Sequence, residues 1–335
     1  MDVKKIIAHF RSMTRPESSD VTVPVLALEG MMHKLNLSPD GFPRFFVATS
    51  QDSFAPNIEL ELLTVEYNTP CTIFDETGKK YECVYTIVTL RSPEHSLQDY
   101  FLEIMLMLLE KFPQNPNCHD LSVGVENLIS IFSALRNPPR KQIQGLWAEL
   151  LVIEQSAYPM TMVNAWHADP SAKYDFTLGR DKIEVKSTSG EKRQHSFSYD
   201  QLNPSAHSRL LIASAIVRES GKDKDGLSVY DLYQKISKRL IVADYRLKLY
   251  KVIAETVGQD IDKLKGLYYD YVQAVDSLKF YDAQKVPHVM KEGIQQYVSK
   301  VKFDSDLTDV DDILMQEPKF DISSSPLFKS LTNKH

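Results

Sequence analysis

The chain has 335 residues, 43% of them hydrophobic and 25% charged, which is enough for one large core or two ordinary globular domains. Its 12 glycines are few, and neither G-x-x-x-x-G-K-[ST] nor G-x-G-x-x-G occurs, which sets aside ATP and dinucleotide chemistry built on phosphate-cradling loops. A net charge of -6 argues against non-specific coating of nucleic acid, which needs a basic surplus, but it leaves room for a local basic cleft.

The N-terminal "MDVKKIIAHFRSM" lacks the apolar core of a leader, and no run approaches the roughly eighteen apolar residues of a membrane span. Cys71, Cys83 and Cys118 form no C-x-x-C pair and read as reduced thiols, so the expectation is a cytoplasmic protein. Residues 43–50, 58–66, 71–75 and 81–90 are short β-branched and aromatic runs with partial alternation, separated by turn residues. They predict a mostly antiparallel N-terminal sheet. Apolar recurrence predicts helices at 96–112 and 121–135, with a loop "PQNPNCHD" between them and a stop at the prolines of "RNPPRK".

Residues 141–156 predict a helix apolar around most of its circumference and therefore buried. At 100° per residue, Gln142, Gly145, Glu149 and Ser156 share one narrow polar or small strip. A carboxylate there is costly unless paired, although an isolated glutamate more often reaches solvent or caps a backbone group. Glu154, also among apolar neighbours, leaves open which acid is the special one.

Next comes "YDFTLGRDKIEVK", residues 174–186. Strand alternation puts Tyr174, Phe176 and Leu178 on one face and Asp175 on the other; Ile183 and Val185 oppose Lys182, Glu184 and Lys186 in the same way. A two-residue Gly179-Arg180 turn pairs Phe176 with Ile183, Tyr174 with Val185, and Asp175 with Glu184; shifting the turn by one residue pairs Asp175 with Lys186 instead. Two directly opposed carboxylates repel, and Mg²⁺ or Mn²⁺ held by oxygen ligands would relieve that repulsion. A metal-free charged ladder balanced by Lys182 and Lys186 accounts for the same residues, and the hairpin alone leaves both readings open. From Lys173 to Arg193 there are six Lys or Arg (Lys173, Arg180, Lys182, Lys186, Lys192, Arg193) against four acids (Asp175, Asp181, Glu184, Glu191), a local balance of +2.

Farther along, 209–217 reads as a buried strand, 221–226 as a turn and 227–240 as an amphipathic helix, followed by helices within 259–275 and strands at 277–281 and 295–303. The acidic 304–312 lacks the glycine and terminal glutamate of an EF-hand and reads as a solvated linker. The predicted class is α/β (α+β), a mixed sheet flanked by helices. Three parts are expected: a β-rich 1–118, a core at 119–245, and a helical and strand extension at 246–335.

Asp175 followed by Glu184-Val185-Lys186, preceded by a helix carrying Gly145-x-x-x-Glu149, resembles the PD-(D/E)XK nuclease superfamily, with Tyr174 in the place usually held by proline. "GLWAELLVIEQ", "HSFSYDQLNP" and "GLSVYDL", in order around the hairpin, extend the resemblance to a bacterial and archaeal PD-(D/E)XK family similar to restriction-type nucleases of phage-defence loci. The resemblance implies a restriction-endonuclease-like core and Mg²⁺- or Mn²⁺-dependent cleavage of DNA. It implies metal ligation by Asp175, Glu184 and the Val185 carbonyl, Glu149 binding or orienting a metal water, and Lys186 serving catalysis. Gln201 would support the site or touch DNA, and Lys192, Arg193, Arg209 and "RNPPRK" would meet phosphates. Implied partners are DNA, a helicase-like ATPase, a DNA methyltransferase and a second copy of the chain. The alternatives are a non-catalytic DNA-binding or scaffold subunit and an RNA-directed nuclease.

Overall fold

A computed structural model describes residues 3–16, 22–50, 55–74, 79–139, 141–167, 172–205, 207–222, 225–290, 293–313 and 324–331. The chain divides into two compact units, Met1–Arg136 and Asn137–His335. This boundary differs from the 118/119 and 245/246 breaks expected from sequence: the helix after "PQNPN" packs within the first unit, and the chain after 245 within the second.

The first unit comprises α1 (Val3–Ser12), β1 (Thr22–Pro24), β2 (Leu26–Ala27), β3 (Lys34–Leu37), β4 (Pro43–Ala48), β5 (Ile58–Glu59), β6 (Leu63–Phe74), β7 (Lys80–Leu90), α2 (His95–Lys111) and α3 (Cys118–Ala134). Its seven strands form one sheet, antiparallel except where β1 runs parallel to β6. Sequence reading broke β6 into two strands at "EYNTP". The strand continues because Asn68 takes φ +48 and the ladder to β7 shifts register between Glu66 and Thr69, a bulge that absorbs the irregularity. Pro70 lies opposite Val84 of β7, at a part of β6 whose other side is not covered, since β5 and β1 reach only its two ends. Phe45, Phe101 and Phe132 pack edge to face, tying sheet, α2 and α3 into one core.

The second unit contains α4 (Ile143–Gln155), α5 (Pro159–Ala165), β8 (Phe176–Leu178), β9 (Asp181–Thr188), β10 (Gln194–Ser198), α6 (Tyr199–Leu202), β11 (Arg209–Ile216), β12 (Glu219–Ser220) and β13 (Gly226–Ser228). It continues with α7 (Val229–Arg239), α8 (Ala243–Val257), a 3₁₀ turn (Gly258–Lys265), β14 (Tyr268–Asp270), α9 (Tyr271–Ser277), β15 (Lys279–Asp282), β16 (Lys302–Asp306) and α10 (Pro326–Lys329). Its central sheet has the order β15-β11-β9-β8 and is mixed: β9 and β11 are parallel, while β8 and β15 are antiparallel edges. The chain is therefore an α+β protein with helices flanking mixed and antiparallel sheets.

Three distal expectations are corrected. The helices expected within 259–275 give way to the 3₁₀ turn through Lys265 and to β14 at Tyr268–Asp270, with an α-helix only from Tyr271; ahead of them Gly258, at φ +49, ends α8 where a Cβ would lie 2.0 Å from the Asn137 carbonyl oxygen. The strand expected at 295–303 begins only at Lys302. The "linker" at 304–312 starts inside β16, which pairs with β10 so that Phe197 faces Phe303, and Leu307 behind it is fully buried.

Arg193, expected to meet phosphate, instead clamps this fold. It is 6% exposed and donates to the Ser214 carbonyl at 2.8 Å, to Ser214 Oγ at 3.0 Å and to the Ser277 carbonyl. Lys192 beside it is exposed. Arg193→Ala should therefore destabilise the protein by about 2–4 kcal/mol, because it strands buried acceptors, whereas Lys192→Ala should stay within about 0.5 kcal/mol of wild type. Urea denaturation of both variants is the check, and equal stabilities would return Arg193 to the surface.

Candidate metal-binding acidic cleft

The hairpin adopts the first of the two registers. Phe176 pairs with Ile183 and Leu178 with Asp181, with Gly179 at φ +58, the positive angle that the first position of a type II′ turn requires. The ladder stops at Phe176, so Asp175 and Glu184 are not strand partners. The Asp175 Oδ2 accepts the Val185 N–H at 2.8 Å, satisfying a donor that the short β8 leaves without a main-chain acceptor. Tyr174 also departs from expectation. It packs with Phe197, Leu202, Leu210 and Ile212, beneath the Lys173 and Lys182 ammonium groups, because alternation does not apply before the strand begins.

Glu149 and Glu154 separate as the helical strip suggested. Glu154 bonds Tyr271 Oη at 2.8 Å and lies 3.4 Å from Lys235 Nζ, away from the hairpin. Glu149 is 2% exposed and turns toward Asp175. Lys141 Nζ joins them, 2.6 Å from Glu149 Oε1 and in contact with Asp175 Oδ1. The other Glu149 oxygen, Oε2, accepts from Trp166 Nε1 at 2.7 Å and meets His167 Nε2 at 2.9 Å.

Glu184, 4% exposed, accepts from Gln201 Nε2 at 2.6 Å and lies 3.0 Å from Lys186 Nζ, both through Oε1. No described residue donates to its buried Oε2. Gln201 is the N3 residue of a Ser198 capping box on α6, so it starts that helix as well as bonding Glu184. Lys186 lies 5.0 Å over the Phe197 ring. Lys141, Glu149, His167, Asp175, Glu184 and Lys186 line one cleft of about 420 Å³, with Gln142, Gly145, Val185 and Gln201 also on its walls.

Charge crowding sets the protonation of these groups. Burial opposes ionisation of Glu149, but the His167 hydrogen bond and the Lys141 charge outweigh it and hold the carboxyl below its ordinary range. Burial and the Glu149 charge push Asp175 up despite Lys141 and the Val185 N–H. Burial and the Asp175 charge push Glu184 up to about 8, Lys186 offsetting only part. Lys141 is raised in turn, burial being outweighed by the two carboxylates it touches.

Not every expected residue joins the cleft. Arg209 pairs with Asp181 at 2.6 and 2.9 Å at the far end of β9, and its guanidinium stacks over Phe328. A residue so committed is a strut, and like Arg193 it does not line the cleft. Lys141, grouped from sequence with the "RNPPRK" phosphate contacts, bridges acids instead, and Arg140 lies outside the described residues. His167 was missed: it follows α5 and lies between α4 and the hairpin in sequence, 18 positions from Glu149, and no spacing rule links the two. Glu149, His167 and Asp175 form a cluster in which one ligand atom from each lies within 4.8 Å of the others.

Residues 8–308 match the model of a family described as "Putative PD-(D/E)XK family member, (DUF4420)". The chain belongs to that family. No curated protein and no solved structure matches it. Asp175 and Glu184-Val185-Lys186 lie within the matched residues. Among the described residues no helix is long and apolar enough to cross a membrane.

The raised Glu184 carboxyl makes stability depend on pH. Between its ordinary value near 4.5 and about 8 the folded metal-free protein holds a proton that the unfolded chain has released. Stability should therefore fall as pH rises through that window. Glu184→Gln cannot release a proton and should flatten the slope, the two proteins converging toward pH 4.5 and diverging by on the order of 2 kcal/mol at pH 8. Unfolding free energies in chelator across pH 4.5–8.5 are the measurement; parallel curves would mean Glu184 ionises normally.

Proposed function

We propose that the chain is a divalent-metal-dependent endonuclease that hydrolyses phosphodiester bonds of DNA, acting in a restriction or phage-defence setting with a helicase-like ATPase and a DNA methyltransferase. The observation that carries this reading is the convergence of three buried acids, Glu149, Asp175 and Glu184, with Lys186 in one cleft. The donor set fits a divalent cation. Glu184 Oε2 is buried and lacks a donor among the described residues, and Asp175 and Glu184 are both pushed toward neutrality by burial and then by neighbouring negative charge, a conflict that a cation relieves. Held by Asp175, Glu184, Glu149 and the Val185 carbonyl, such an ion supplies a nucleophile at neutral pH and neutralises charge on the phosphate.

The protein's own groups do the positioning. Gln201 holds the Glu184 carboxylate from one side, and Trp166 holds Glu149 from another, so the acids keep their orientation without substrate. Lys186, on the same strand as Glu184, brings positive charge to the phosphate as negative charge develops there. Lys173, exposed on the cleft wall, and exposed Lys192 replace Arg193 and Arg209 as phosphate contacts. DNA as substrate, and the defence setting, follow from the likeness to restriction-type nucleases.

One observation favours a second reading. Lys141 already balances Glu149 and Asp175 without an ion, as it would in a non-catalytic binding or scaffold subunit. The discriminating experiment pairs gel-shift binding in Ca²⁺ with nicking of supercoiled plasmid in Mg²⁺ or Mn²⁺, the partner ATPase supplied. Lys186→Ala should lose at least about 100-fold in nicking with DNA affinity within about twofold, because its charge acts on the transition state. Wild type that binds DNA but cuts no nucleic acid would establish the scaffold; cutting of RNA alone would change the substrate.

A further inference from the structure

Two cleft residues lie outside the acid, acid, lysine pattern. Lys141 and His167 both reach Glu149, and both lie beside Asp175. We propose that His167 is a nitrogen ligand of the ion held by Glu149 and Asp175, that the site therefore prefers a first-row transition ion such as Mn²⁺ or Co²⁺ to Mg²⁺, and that the ion takes the place of the Lys141 ammonium. The inference rests on the metal-dependent reading above and specifies its ion.

The distances fit shared coordination. Ligand atoms about 2.1 Å from one ion lie about 3 Å apart when adjacent and about 4.2 Å apart when opposite in an octahedron. His167 Nε2 is 2.9 Å from Glu149 Oε2 and 4.0 Å from Asp175 Oδ1. The residue is held in place: the His167 main-chain N–H donates to the Asp175 main-chain carbonyl at 2.9 Å, and the Trp166 ring centroid lies 5.6 Å from that of the imidazole. His167 also takes φ +38, a left-handed conformation that costs energy in a residue with a Cβ and persists only where its surroundings enforce it. Separately from this cluster, the Glu184 oxygen on the same cleft is 96% buried by residue and lacks a donor among the described residues.

Nitrogen sets the preference among ions. Mg²⁺ favours all-oxygen sets, whereas an imidazole among carboxylates favours transition ions. Ligation through Nε2 uses the neutral ring protonated at Nδ1. Lys141 sets the competition. Its Nζ touches both carboxylates, and with its side chain 36% exposed it has a route to solvent on a flexible stem. Ammonium and ion cannot share one position, and loss of both would leave two buried carboxylates unbalanced.

The test uses the full chain, with Mn²⁺ and Mg²⁺ as probes. Binding is followed by calorimetry and electron paramagnetic resonance, and ligation by pulsed resonance, which reads coupling between Mn²⁺ and ¹⁴N. Wild type should bind Mn²⁺ at least about tenfold more tightly than Mg²⁺ and show the coupling. In His167→Gln the coupling should vanish, with Mn²⁺ affinity falling about tenfold and Mg²⁺ affinity much less. Lys141→Met should tighten Mn²⁺ binding several-fold and keep the coupling. Should His167→Gln misfold by circular dichroism, wild type labelled with ¹⁵N-histidine gives the same answer by exchanging the ¹⁴N coupling for ¹⁵N. Mn²⁺ that binds wild type and not Asp175→Asn, yet shows no histidine nitrogen, overturns the ligand and keeps the metal site. Mn²⁺ that binds wild type and Asp175→Asn alike, or neither, overturns the metal-dependent reading and this inference with it.

Discussion

Three carboxylates cannot be buried within reach of one another unless positive charge and hydrogen-bond donors are placed among them, because desolvation and mutual repulsion act in the same direction. Much of the second unit answers that constraint. Glu149 receives Lys141, Trp166 and His167; Asp175 receives Lys141 and the Val185 N–H; Glu184 receives Gln201 and Lys186. The compensation is uneven. Glu149 is held ionised, while Asp175 and Glu184 are pushed toward neutrality, so unspent affinity for positive charge collects on the hairpin side of the cleft.

The scaffold delivers these donors from separate stretches of chain. β9 lies between β8 and the parallel β11, and its Glu184 and Lys186 point away from the flanking Ile183, which is fully buried. The short β8 ends the ladder at Phe176, which frees the Asp175 carboxylate from strand pairing to cap Val185. The bridge between Trp166 and Phe176 draws the end of α5 against that point and so brings Trp166 and His167 to Glu149. On the other side, β10 is clamped through Arg193 to β11 and to the end of α9, and it leads into α6, whose capping box sets Gln201 against Glu184.

Arginine illustrates how identity and role part company. Sequence counts Arg193 and Arg209 as basic surface, yet both guanidiniums spend their donors on the protein itself, one on carbonyls and one bidentately on Asp181. The planar fork suits such buried, geometrically fixed partners, while the flexible ammonium groups of Lys173 and Lys192 stay at the surface.

The sequence by itself determined whatever depends on local periodicity: the α+β class, the buried α4 with Glu149 on its polar strip, a Gly179-Arg180 turn with two possible registers, and Glu184 and Lys186 together on one face. Turn chemistry and alternation act over a few residues, so they survive in the order of the letters. It did not determine where alternation ends, which moved Tyr174 to the other face, nor the interruption of the 259–275 helices by β14, which pairs with β12 and β13. Only the tertiary structure decided that Lys141 and His167 belong to the acid cluster, that Arg193 and Arg209 spend hydrogen bonds within the protein, and that Glu154 is satisfied elsewhere. Those outcomes depend on which donor reaches which acceptor across the fold, a distance set by packing and absent from the spacing of residues along the chain.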